Sequence, residues 1–409
     1  MANGASTNAA TGLLQVNAFF GSIGRPAKGV TIRIFPAGES IPVQELVTNE
    51  IGQIPPIPLP APPLSYSMSY DRPQPFSQYD VEAILENYPA VNIRGVQIFP
   101  DTTAVQRAVL TPKGGMIDIP YPTLWGDFPP KIPEDEIKPL PHSTNLVVLP
   151  RPVVPDVVVV HAGVPSDSSA PNYTVGFKDY IKNVACSEIY STWPPETLRA
   201  NVLAILSFAM NRIYTEWYRG KGYDFTITNS TAYDQAFTYG RTIFREVSNV
   251  VNELFTTYIS RLDILQPLLT QYVDGKSVPP REGWLSQWGS KALGDQGLTA
   301  IQILKNYYGS EIILKQAQKV EGIPLSFPGE TLKPGSTGES VRTIQTQLNA
   351  ISNNYPLISK VVVDGVYGES TEKAVRVFQE IFGLPVTGNV NFPTWYQISN
   401  IYVAVAELA

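Results

Sequence analysis

Apolar and polar side chains alternate along residues 15–18 (Gln-Val-Asn-Ala) and 30–34 (Val-Thr-Ile-Arg-Ile), and again along 79–83 and 91–93. A period of two predicts half-buried β-strands. Turn formers separate these stretches at 22–26 and 49–52, followed by a Pro-rich run over 55–63. Short strands at that spacing predict a β-sandwich over residues 1–113. From 177 to 260 the period becomes helical. One helix is expected over 177–191. A second starts after Trp193-Pro194-Pro195, where proline at the first turn is favourable, and runs to about 218. Leu198, Val202, Ile205, Leu206, Phe208, Ile213 and Trp217 make it apolar nearly all round, as in a helix buried on every side. A third helix is expected over 242–259. Between sandwich and helices, 114–147 reads as a Pro-rich linker kept extended by its prolines and solvated by Glu134, Asp135 and Glu136. The fold class expected is multidomain α+β: the sandwich, a mainly helical domain over 148–328, and a small three-helix module over 329–409.

One position breaks the pattern. At about 100° per residue from Phe177, Ile181 falls near 40°, Val184 near 340° and Glu188 near 20°, in the middle of the apolar stripe. Lys178, Asp179, Lys182 and Asn183 lie on the polar side. A carboxylate facing a core is costly when ionised. Desolvation raises its pKa and keeps its proton on near neutrality, the state of a general acid toward a glycosidic oxygen. A glutamate neutralised by a nearby arginine would show the same spacing. Glu196, in the first turn of the second helix, suits the helix dipole, and Glu216 and Glu246 read as solvated.

Composition narrows the chemistry. The chain has 409 residues, 43% hydrophobic and 16% charged, enough for several folded domains. A net charge of −6 gives no basic footprint for nucleic acid. The single cysteine, Cys186, excludes an intramolecular disulfide, and the two histidines, His142 and His161, offer no paired metal spacing. Cys186 has no basic helper and reads as an inert thiol. The first residues, MANGASTNAATGLLQV, lack the basic start and apolar core of a signal peptide, and no stretch is apolar enough for a membrane span. The expectation is synthesis in a cytosol.

Three stretches carry a resemblance. Residues 180–188 (Tyr-Ile-Lys-Asn-Val-Ala-Cys-Ser-Glu) and 193–200 resemble the segment around the catalytic glutamate of stage II sporulation protein D, a lytic transglycosylase. Residues 286–290 (Ser-Gln-Trp-Gly-Ser), Gly294, Gly297 and 307–309 (Tyr-Tyr-Gly) resemble its downstream signature. Gly335, Gly338, Gln345, Asp364-Gly365, Phe378-Gln379, Gly383-Leu384 and Thr394-Trp395 resemble the peptidoglycan-binding domain. The order sandwich, Pro-rich linker, transglycosylase, binding module is similar to the SleC-type spore cortex-lytic enzymes.

That resemblance implies a proenzyme cutting the muramic acid–glucosamine bond of spore cortex peptidoglycan, with Glu188 catalytic. The reaction would give an anhydro-muramic end and need neither a second carboxylate nor a cofactor. Gln235, Tyr239, Gln287 and Trp288 are the candidates for holding sugar. A subtilisin-like germination protease would remove the N-terminal part by cutting between Asn145 and Pro150, around Leu146, Val147 and Val148. Synthesis in the mother cell and deposition at the cortex would follow. Some relatives carry cysteines near 272–284, and members of the wider family can bind zinc. Here Val273, Pro279 and Pro280 stand in that region, so no metal is expected. Two rivals stay open: a wall-binding or amidase-enhancing protein without catalysis, and a hydrolytic muramidase.

Overall fold

The computed structural model describes residues 10–138, 151–317, 319–323 and 325–406. The chain is mixed α+β, as the two periodicities predict. Strands β1 (Ala10–Phe20), β4 (Ile57–Ala61) and β7 (Thr103–Leu110) form one sheet. Strands β2 (Thr31–Pro36), β3 (Gln44–Val47), β5 (Ser77–Ile84), β6 (Val91–Ile98) and β8 (Gly115–Asp118) form the other, in the order β3-β2-β5-β6-β8. Alternation works as expected: Ile32, Ile34, Val81, Ala83 and Ile93 are buried while their neighbours are more exposed. The sandwich runs past residue 113, because β8 pairs in parallel with β6.

The middle of the chain opens with β9 (Val157–His161) and β10 (Asn172–Gly176), which lead into α1 (Phe177–Glu188). Helix α1 is shorter than its periodicity suggested, since Ile189 turns extended ahead of the two prolines. Helix α2 (Pro195–Tyr214) is buried along nearly its whole length. It is encircled by α3 (Arg245–Leu254), α4 (Gln287–Asp295), α5 (Ala300–Tyr308) and the antiparallel pair of β13 (Thr257–Arg261) with β16 (Ile312–Gln316). Helix α3 begins and ends inside its expected range, because Ile243–Phe244 and Thr257–Arg261 are drawn into sheets. Short strands β11 (Ile227–Thr228), β14 (Tyr272–Val273) and β15 (Leu285–Ser286) tie the loops together. Helix α4 packs so closely on α2 that a Cβ on Gly294 would lie 2.0 Å from Thr197 Oγ1.

Strand β12 (Ile243–Phe244) leaves this helical region and pairs with β7 of the sandwich. Glu246, read as solvated, instead accepts from Thr103 N on β7 at 3.2 Å. The Pro-rich stretch is also docked, not solvated. Ile132 N donates to Ala232 O at 2.7 Å and Leu269 N to Glu136 O at 2.9 Å. Glu134 bonds Arg212 at 2.5 Å, and Gln266 brackets Lys138 through its backbone N–H and C=O. Proline fixes an extended backbone and leaves open what the backbone lies against.

The C-terminal module has α6 (Glu339–Ile351), α7 (Glu369–Ile381) and α8 (Phe392–Ala406) around Leu348, Phe378 and Trp395. Two buried glutamines pin its turns. Gln345 Oε1 accepts from Gly365 N at 2.9 Å, and Gln379 Oε1 accepts from Gly388 N at 2.8 Å. Among the described residues, no helix is long and apolar enough to cross a membrane.

Candidate active site

Glu188 ends α1 with 3% of its surface exposed. Position and burial both act against the charged carboxylate, because a helix C-terminus presents unpaired carbonyls. Burial pushes its carboxyl up to about 7. The charge of Lys131, the hydroxyl of Tyr272 and the N–H of Ala236 oppose that rise. The two oxygens differ. Oε1 accepts from Ala236 N at 2.8 Å, while Oε2 is buried with no short hydrogen bond among the described residues. The carboxyl is therefore fixed through Oε1, with the Tyr272 hydroxyl close by.

Glu188 lines a cavity of about 290 Å³. The docked stretch from Thr123 to Lys131 supplies part of the lining, and Tyr272, Asp274 and Gln287 supply another part. Thr123 N also donates to Ser187 O at 2.8 Å, so this stretch is fastened to the last turn of α1 itself. Lys131 Nζ donates to Asp234 O at 2.5 Å and lies over the rings of Phe208 (4.3 Å) and Tyr272 (4.7 Å). Burial pushes its pKa down to about 8, against the pull of Glu188 and Asp234.

The residues expected to hold sugar are placed differently from one another. Gln287, 3% exposed at the start of α4, lines the cavity beside Glu188, and its side-chain amide has no partner among the described residues. Gln235 is fully buried and lies outside the cavity lining. Its amide is used by Tyr180 Oη (3.0 Å), Ile205 O (3.0 Å) and Tyr272 Oη (3.0 Å), so it positions Tyr272 instead of facing a ligand. Tyr239 is half exposed and stacks on Tyr173 at 4.8 Å, outside the cavity lining. Trp288 packs edge-on against Trp193 (5.0 Å), Tyr190 and Tyr70, away from the lining. Leu146, Val147 and Val148 lie outside the described residues.

Tyr272, Lys131 and Asp274 were not picked out by the sequence reading. The first two lack any periodicity signal. Asp274 opens a tight turn, Asp-Gly-Lys-Ser, a signal that marks a turn and not a site. Partial burial pushes its carboxyl up, but Ser277 and Val278 donate to it at 2.5–3.1 Å and hold it below its ordinary value. It is an ionised carboxylate in the lining that Glu188 shares. Asp234 is occupied by Arg212 (2.6 Å), Tyr218 (2.6 Å) and Thr228. Gly275 must follow Asp274: its φ is +79°, and a Cβ would meet Ser286 Oγ at 1.8 Å.

Other candidates are accounted for by packing. Cys186 is buried, its thiol pushed up to about 12 by burial. His161 stacks on Phe225 and bonds Asn172 at 2.8 Å through Nδ1. No group of three or more His, Cys, Asp or Glu side chains among the described residues is placed to hold a metal ion.

Residues 337–398, spanning α6, α7 and the start of α8, match the family of peptidoglycan binding domains. The chain carries a C-terminal peptidoglycan-binding domain. No curated protein matches the chain. Among solved structures, the N-terminal domain of SleB is 34% identical, covering 19% of this chain and 99% of that one, with a TM-score of 0.17. The 5-hydroxyisourate hydrolase of Klebsiella pneumoniae is 22% identical, covering 24% of this chain and 90% of that one, with a TM-score of 0.16.

Proposed function

We propose that the chain is the precursor of an enzyme that cuts the glycan strands of peptidoglycan, with Glu188 as its acid. The observation that carries this reading is the state of Glu188: buried, oriented by Ala236, pushed up to about 7, and bordering a cavity next to an unpartnered amide. A peptidoglycan-binding domain on the same chain supplies the polymer.

In the proposed reaction, Glu188 gives its proton to the oxygen linking muramic acid to glucosamine, and that C–O bond breaks. The resulting carboxylate takes the proton of the muramic C6 hydroxyl as that oxygen bonds to C1 of the same sugar. The product is an anhydro-muramic end, and Glu188 regains its proton. Gln287 would hydrogen-bond the sugar, and Tyr272, held by Gln235, would orient the carboxyl.

The docked stretch supports a precursor. Residues 123–131 form a wall of the cavity and place the Lys131 ammonium beside Glu188, where a glycan would have to pass. Cutting around residues 146–148 would sever this strap and the sandwich from the rest. A spore cortex substrate, and deposition there from the mother cell, belong to the same proposal.

Asp274 supports a second reading, hydrolysis. An ionised carboxylate in the same cavity lining would activate water, as in a two-carboxylate glycosidase. Mass spectrometry of cortex fragments released by the protease-nicked chain decides between them. Anhydro ends lost in Glu188→Gln mean transglycosylation. Reducing ends lost in both Glu188→Gln and Asp274→Asn mean hydrolysis. Wall binding with no fragments at all would refute both.

A further inference from the structure

A partly open cavity of about 90 Å³ lies where the three parts of the chain meet, and Glu188 is not in its lining. The sandwich contributes Gln15 and Arg107, the helical region Lys182 and Arg245, and the module Tyr355 and Gln397. Every charged side chain in its lining is a cation.

The accounting of these cations is incomplete. Arg107 is neutralised by Asp179 at 2.8 Å. Arg245 uses one nitrogen on Gln15 Oε1 at 2.7 Å, but its Nε is buried without a partner. Lys182 is 8% exposed, and its ammonium has no hydrogen-bond or ion-pair partner among the described residues. Gln397 accepts from Lys178 at 3.4 Å, which leaves its NH2 group free. Burial pushes the Lys182 pKa down to about 8, against the pull of Asp179. Lys182, Arg245 and Gln397 all line this cavity, and its lining holds no carboxylate.

We propose that this junction cavity is a binding site for a small oxyanion, a carboxylate or a phosphate group, held by Lys182 and Arg245 with Gln397 as an uncharged third donor. Charge-assisted bonds from an ammonium and a guanidinium are the strong ones for such a ligand. Because all three parts of the chain contribute lining, the occupant binds only their assembled arrangement and stabilises it by mass action. This site is independent of whether Glu188 cuts glycan.

The test titrates the full-length chain with inorganic phosphate and with acetate, each against chloride at matched ionic strength, by calorimetry and thermal shift. A saturable 1:1 isotherm with a rise in Tm beyond that in chloride is expected. A response to phosphate alone assigns a phosphate-class ligand, and a response to acetate assigns a carboxylate. Lys182→Met and Arg245→Met should each weaken binding at least tenfold, and Lys182→Arg should retain it. Identical behaviour of all three salts overturns the proposal whatever the variants do. So does undiminished binding in both methionine variants.

Discussion

Glu134 and Arg212 meet at 2.5 Å where the docked strap crosses α2. Arg212 is fully buried and simultaneously holds Asp234 at 2.6 Å, so one guanidinium joins the strap to the loop beneath the cavity. Partial burial pushes Glu134 up, but Arg212 and Lys138 outweigh it and hold the carboxyl below its ordinary value. The strap's anchor is thus charged throughout the neutral range and weakens only as pH falls through that lowered pKa.

Arg212→Met leaves Asp234 fully buried without its cation and Glu134 with Lys138 alone. Loss of one partner from a buried pair costs on the order of 3–5 kcal/mol. Urea denaturation should show that loss, and amide exchange should show faster opening over 129–138. Exchange as slow as in the parent would mean that the strap is held by something else.

Glu188 holds its proton more tightly folded than unfolded, so its ionisation penalises folding. The penalty grows from the ordinary value of 4.5 up to about 7 and is constant above. Glu188→Gln should therefore stabilise the chain at pH 8, by up to ~3 kcal/mol, and leave it unchanged at pH 4, where both side chains are neutral. Thermal melts at the two pH values check this. Equal shifts at both would mean that the raised pKa is not the cause.

Gly275→Ala forces a side chain into a left-handed turn, which costs about 1–3 kcal/mol, and drives it into Ser286 Oγ. Ser286 caps α4 by accepting from Gly289 N at 2.9 Å, immediately beside Gln287. Both Tm and glycan cleavage should fall. Adding Ser286→Gly should recover part of the stability, since it removes the clash; strict additivity of the two losses would contradict the contact.

Gln379→Leu strips the amide that receives Thr387 N and Gly388 N at 2.9 and 2.8 Å. Each buried N–H left unpaired costs about 1–3 kcal/mol. Melting of the C-terminal module should move down, and co-sedimentation with peptidoglycan should weaken with it. Parent-like values in both assays would show that the turn holds without this residue.

The elements most legible in the sequence were those whose partners are nearby in the chain or whose periodicity is strong. The alternation of β2 and β5 placed Ile32, Ile34, Val81 and Ala83 correctly, and the helical angle of Glu188 marked its burial. Lys182 shows the limit of that angle. It lies on the polar side of α1 yet is buried, because the polar side meets the sandwich and the C-terminal module. The strap was illegible for a different reason: Lys131 and Glu134 sit in a stretch whose composition is the same whether it lies in water or against α2. Tyr272 comes from a two-residue strand, too short for any period to register. Of the four residues chosen for sugar, Gln287 is the one that lines the cavity, since residue type alone does not say which amide is already occupied.

Strand β12 lends the sandwich a neighbour along β7, at Val105 and Ala104. A cut in the connecting chain would leave that pairing intact, so the two fragments would first persist as a non-covalent complex. Once they separate, β7 presents unpaired backbone along its flank, a template for pairing with another molecule. Under the proposed cleavage, the released fragment would then carry a strand flank open to self-association.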